Sequence, residues 1–243
     1  MLTQVAVNTC MTVCVALAIW LQLKSGRFDF SGGAAMILTA IIAGNVGLQT
    51  GNPWIALGVA LVVGIGLSLF TATVYVVGRL PIIICTIGTT LLYESLTYLV
   101  YGGKGIRLFY STAETSIFGR FPGVLLPTVM AIGLFLFFSY WTKAGRQEKI
   151  LANNQRAAVH IGINEIKNVF ISYIYTGLMI GFAAIVYVSQ NEVKPQSGLA
   201  TAGIMFSYIV PVFMGIFIGL ASVDAIGILV AAIGMEILNY GLN

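Results

Sequence analysis

A carboxylate inside an apolar run is the residue here best placed to do chemistry. Glu94 stands in Leu91-Leu92-Tyr93-Glu94-Ser95-Leu96, about 12 Å along a helix from the end of its run. A charge at that depth is costly and marks a functional position by default. Two roles suit it: hydrogen-bonding the hydroxyls of a polar solute, or pairing with a basic residue on a neighbouring helix, of which pairing is the safer reading. Thr86, Thr89 and Thr90 precede it on the same run; Thr86 and Thr89 are candidates, with Asp29, Ser31 and Glu94, to line a translocation path, although threonines there also satisfy themselves on backbone carbonyls. Asp29 and Ser31 sit among Gly26, Gly32 and Gly33. Ser31 is a candidate cap for the helix that follows. If that helix starts within the membrane, its positive end faces polar groups of a solute. An ordinary tight turn on the inner side explains the same residues equally well. Asp224 and Glu236 near the end are ambiguous in the same way.

Enzymatic chemistry finds little to work with. His160 is the only histidine and has neither a second ligand nor a nucleophile beside it in sequence, so a solvated loop residue is expected. Cys10, Cys14 and Cys85 all fall in apolar stretches, and buried reduced thiols are expected. No metal site and no catalytic residue is assigned. Nothing matches GxxxxGK[ST], so any ATP used must be bound by another chain.

The elements that carry these residues follow from composition. Of 243 residues, 58% are hydrophobic and 8% charged, against about 25% charged in a soluble domain; mean hydropathy is +0.96. Twenty ionisable side chains cannot clothe a water-soluble globule of this size. A soluble enzyme, a nucleic-acid binder and a disordered chain are therefore set aside. The expected fold is all-α, a polytopic transmembrane bundle of about eight spans forming one transmembrane domain over 1–243. The runs lie near 2–23, 33–49, 54–78, 81–102, 122–142, 167–189, 202–221 and 223–243. The second is short and could be a broken helix. No basic residue follows Met1 before Lys24, so the start lacks the n-region of a signal peptide and reads as lying in or beside a membrane helix.

Parity with 143–166 inside puts 24–32 and 79–80 inside and 50–53, 103–121 and 190–201 outside. Eight basic residues then fall inside (Lys24, Arg27, Arg79, Lys143, Arg146, Lys149, Arg156 and Lys167) and four outside (Lys104, Arg107, Arg120 and Lys194), the expected bias. Trp54, Tyr98, Tyr101, Phe109, Tyr110, Tyr140 and Trp141 sit at span ends as interfacial anchors. Gly58, Gly64, Gly66 and Gly78 share one span and favour close helix approach. The polar stretch 143–166 carries Ile150, Asn154, Ala157, Ala158 and Ile161 at helical spacing, with Gly162 as a stop. A helix over 148–163 suits either docking into a groove of a cytosolic partner or rest on lipid headgroups.

These residues resemble the coupling loop of membrane subunits of ABC importers, and most closely the ribose/galactose-type sugar permease family. Gly145-Arg146, Asn154, Ala157-Ala158 and Gly162-Ile163 fall on its loop pattern G-R…A-G-N-x-x-A-A-x-x-x-G-I, and the resemblance places Asn153 and Arg156 in the same coupling loop. Gly26-Arg27-Phe28-Asp29-Phe30-Ser31-Gly32-Gly33 looks like the family's G-G-I-D-L-S-x-G, with Arg27 in place of a glycine. Gly78-Arg79-Leu80-Pro81, Thr86-Ile87-Gly88-Thr89 and Tyr93 resemble a further segment, in which Glu94 replaces a frequent arginine. Leu238-Asn239-Tyr240-Gly241-Leu242-Asn243 resembles the near-terminal L-N-N-G-L-N, and a late glycine pair survives as Gly215 and Gly219. The resemblance runs through the whole chain. Members have about ten spans, which implies one span before Met1 and at least one after Asn243, the chain being a fragment or a short form.

The resemblance implies a permease subunit, with no enzymatic activity, in a plasma or inner membrane. It would move a simple sugar or related polar solute inward. A second permease subunit, identical or paralogous, would share the pathway; a cytosolic ATPase pair carrying ATP–Mg would dock at 148–163; an external solute-binding protein would deliver the solute. Membrane lipid is the remaining partner, and nucleic acid is none. Lys104, Arg107, Glu114 and Arg120 are placed to meet the binding protein. An ion-coupled secondary transporter is the alternative, for which only Glu94 and Glu236 qualify as mid-membrane carboxylates; a non-transporting scaffold is a third.

Overall fold

The computed structural model describes residues 2–108, 115–220 and 222–242; the anchors Phe109 and Tyr110, and Glu114, lie outside the described residues. Among those described, the chain forms ten α-helices: α1 (Leu2–Lys24), α2 (Ser31–Thr50), α3 (Pro53–Gly78), α4 (Ile82–Leu99), α5 (Leu125–Leu136), α6 (Lys143–Asn153), α7 (Gln155–His160), α8 (Glu165–Gln190), α9 (Ala200–Gly219) and α10 (Asp224–Leu242). Seven are long and apolar enough to cross a membrane. The fifth predicted span is α5 with a π-helical extension to Trp141, followed after a 70° bend by α6. The eight runs are all present, and among the described residues the one sharp bend falls at the inner end of the fifth, between it and α6. The second run is continuous and longer than its apolar core, because Asp29 starts it at Ser31 and Gly51, at φ 64°, ends it.

Helix starts follow local chemistry. Asn52 accepts from the Trp54 N–H, with Pro53 occupying the first turn where a missing N–H costs nothing. Thr142, Asn154 and Asn164 cap α6, α7 and α8 in the same way.

The centre of the bundle is α1, α2 and α8. Of their most apolar stretches 67%, 78% and 72% of residues are buried, against 28% for α9 and α10, so the latter pair is peripheral. α8 packs most extensively against α3. At that crossing a Cβ on Gly64 would fall 2.5 Å from the Gly177 carbonyl oxygen, which only glycine avoids. Gly58 and Gly66, on the same helix, face open space and bring no helix closer. Trp54, Tyr98, Tyr101, Tyr140 and Trp141 are exposed at the span ends, as expected of anchors.

Side-to-side contacts agree with the parity. Arg27 meets Glu148 and Lys24 meets Asp224 on the side assigned inside. Outside, Ile106 and Val193 exchange backbone hydrogen bonds, Arg107 meets Glu192 and the Trp54 ring packs edge-on against Phe118. Each contact joins two connections placed on the same side. The three cysteines are free and buried.

Candidate functional site

The loop 143–166 folds as two helices and not as one rod over 148–163. Asn154, in extended conformation at φ −157°, ends α6, and its side chain accepts from the Ala157 N–H to begin α7. The break divides the predicted stripe. Leu151, Ala158 and Ile163 form a small buried cluster that folds α7 back on α6. Ile150, Asn154, Ala157 and Ile161 stay exposed, as do Asn153, Arg156, Val159, His160 and Gly162. Ala157 and Ala158 thus part company: one faces outward and the other holds the hairpin together. Gly145 is buried and donates its N–H to Thr142, while the exposed Arg146 donates to the carbonyls of Tyr140 and Trp141 and closes the bend.

Beneath that outward surface α6 is fastened to the bundle. Arg27 Nη2 donates to Glu148 Oε1 at 2.9 Å, and Ser172 Oγ of α8 donates to the same oxygen at 2.7 Å. Both charged side chains are only 7% exposed. Burial pushes the Glu148 carboxyl above its ordinary range, with Arg27 pulling it back. Asn168 Nδ2 donates to the Ala144 carbonyl at 2.8 Å. Arg27 also reaches Gln22, which donates to Thr176 on α8 at 2.7 Å.

The connection 25–30 is no surface turn. Ser25, Arg27 and Ser31 are buried, and the head of α2 is sunk in the bundle. A Cβ on Gly33 would fall 2.5 Å from the Thr201 carbonyl at the first turn of α9. Ser31 does not cap α2. Asp29 does: its Oδ1 accepts from both the N–H and the hydroxyl of Ser31 at 2.7 Å. Ser31 Oγ lies 3.2 Å from Thr71 Oγ1, which lies 2.9 Å from the Tyr93 hydroxyl; Tyr93 donates to the Leu67 carbonyl. Beside Asp29, Gln22 and Thr176 is a cavity of about 20 Å³, the scale of a single water molecule.

Glu94 is engaged by a neighbouring helix instead of by a basic residue. Its carboxylate accepts from the Leu199 and Thr201 N–H groups at 2.8 and 2.9 Å and from the Thr201 hydroxyl at 2.7 Å. It therefore caps α9 from another helix, where a negative charge meets the positive end of the helix dipole. It is 1% exposed, and among the described residues no basic side chain pairs with it. Thr86 and Thr89 are buried on the same helix and donate to the carbonyls of Ile83 and Thr86, as sequence reasoning anticipates. Asp29 and Ser31 thus join Tyr93 in one cluster, Glu94 turns toward α9, and the threonines serve their own helix. Asp224 pairs with Lys24, and Glu236 accepts from Thr12 at 2.6 Å. At the outer face Arg107, hydrogen-bonded to Glu192, holds that carboxyl below its ordinary range. Sequence reasoning missed Gln22, Thr71, Glu148 and Ser172. The one available signal was Glu148, an acid set between Arg146 and Lys149 in a basic loop.

Comparisons with known proteins place the chain in a family. The family described as "Branched-chain amino acid transport system / permease component" matches residues 1–243. The autoinducer 2 import system permease protein LsrD of Escherichia coli K12 is 26% identical over 250 residues, covering 94% of this chain and 72% of that protein. Its Photorhabdus temperata counterpart is 24% identical, over 93% of this chain and 69% of its own length. No solved structure matches. The chain belongs to this permease family: it is a multi-pass membrane subunit of an ABC importer, a transport component and not an enzyme, of a kind that works with an ATPase and a solute-binding protein.

Proposed function

We propose that this subunit carries a simple sugar or a related small polyhydroxy solute inward, and that a cytosolic ATPase bearing ATP–Mg docks on the α6–α7 hairpin. The observation that carries the docking assignment is the hairpin's two-sidedness. Its inner side is bolted to α1–α2 and α8 by buried polar contacts, while Ile150, Ala157, Val159 and Ile161 stand bare. A small apolar face rigidly attached to the bundle is what a groove on a partner can grip. The solute class is supported by the import of autoinducer 2 named for the relatives. A second permease subunit completes the pathway, and the outer basic residues Lys104, Arg107 and Arg120 meet the solute-binding protein. The ion-coupled alternative loses its main support, since the Glu94 carboxylate accepts three hydrogen bonds from the start of α9.

The test is co-purification. Ala157→Glu with Ile161→Glu places two carboxylates on the bare face and leaves the Leu151–Ala158–Ile163 cluster intact. Expected is loss of at least about nine-tenths of the ATPase that accompanies the parent chain, an order-of-magnitude change corresponding to about 1.4 kcal/mol. Retention at parental stoichiometry removes the docking assignment.

A further inference from the structure

We propose that the buried Arg27–Glu148 pair is the positioning contact through which displacement of α6 reaches the heads of α2 and α9. The proposal rests on the reading of α6–α7 as the ATPase-docking hairpin.

Three observations carry it. First, the pair joins residues 121 apart in sequence and is nearly out of solvent. Drawing such charges apart in a dry interior leaves both unpaired, so α6 and the connection 25–30 move together. Second, that connection grips two further helices. Asp29 caps α2 through Ser31. Phe28 packs on Phe30 with ring centres 4.7 Å apart, and Phe30 packs on Phe206 of α9 at 5.9 Å; Gly33 lies under Thr201. Third, α9 has the features of a lever. Glu94 pins its first turn, and Pro211 interrupts its hydrogen-bond ladder beyond Phe206, the usual seat of a helix hinge. The inner half, past Pro211, packs on α10 through Gly215 and Ile228. A push on α6 therefore arrives at the outer half of α9, between the Glu94 pin and the proline.

The test uses the full chain purified in detergent with its ATPase, carrying Ala200→Cys at the exposed start of α9; the native cysteines are buried. The rate of reaction with an impermeant maleimide is read with and without ATP plus vanadate. The parent is expected to change rate on trapping. Arg27→Met with Glu148→Met removes both charges and orphans neither, and is expected to cut that response about fivefold or more while ATP hydrolysis continues. Glu148→Gln keeps the volume and the Ser172 contact and is expected to give a partial loss. A parental response in either folded variant overturns the proposal. So does a parent that hydrolyses ATP with no change at Ala200→Cys. A parent that brings no ATPase overturns the docking reading itself, and this proposal with it.

Discussion

At the scale of single residues, the carboxylate of Glu94 is the clearest case of a side chain whose purpose lies outside its own helix. Three donors converge on it from the start of α9. Glu94→Ala leaves those donors without an acceptor in a buried place and is expected to cost about 2–4 kcal/mol. Glu94→Gln retains one acceptor oxygen and costs about half as much. Thermal unfolding of the purified protein in detergent checks both; equal melting temperatures for Ala and parent would contradict the cap. The residue type told of importance, since an acid in an apolar run needs a reason, but the partner follows more than 100 residues later and no spacing rule reaches that far. Asp29 and Ser31 were legible as a helix start, and the two exchange roles because Asp29, one position before the first bend, has the reach to accept from both Ser31 groups.

Among the elements, the α3–α8 crossing separates glycines that matter from glycines that do not. Gly64→Leu drives a side chain into the Gly177 carbonyl and is expected to destabilise by about 1–3 kcal/mol, whereas Gly66→Leu, facing open space, is expected to leave the melting temperature unchanged. Detergent melting of the pair of variants is the check; similar effects from both would place the crossing elsewhere. Composition announced that this span is rich in glycine, but only the facing helix decides which glycine is used. The division of α6 from α7 was legible in principle. Asn154 ahead of Gln155-Arg156-Ala157 is a capping signal, and it was overridden by the apolar stripe continuing past it. The stripe was real in period and wrong in membership, because a helix that folds back buries residues that a straight one would show.

For the molecule as a whole, the order of spans was readable because each run is long and apolar, and because alternation leaves little freedom once one loop is placed. Charge counting alone was a weaker guide than it looked: on the inner side Lys24 and Arg27 are spent on Asp224 and Glu148, and outside Arg107 is spent on Glu192. The contacts between connections carry the topology more firmly. Ala157→Cys and Lys194→Cys, both at exposed positions, place it on trial in intact cells. An impermeant thiol reagent is expected to reach Lys194→Cys and to reach Ala157→Cys only after permeabilisation; the reverse pattern would turn the topology over.

The cap on α9 has a further consequence for biogenesis. A ribosome delivers α4 well before it makes residues 199–201, so for that interval the fourth span holds a bare acid in lipid, at a cost of about 3 kcal/mol. Nascent chains halted before residue 199 are therefore the form that membrane quality control should clear fastest, and release from that surveillance should coincide with arrival of the ninth helix.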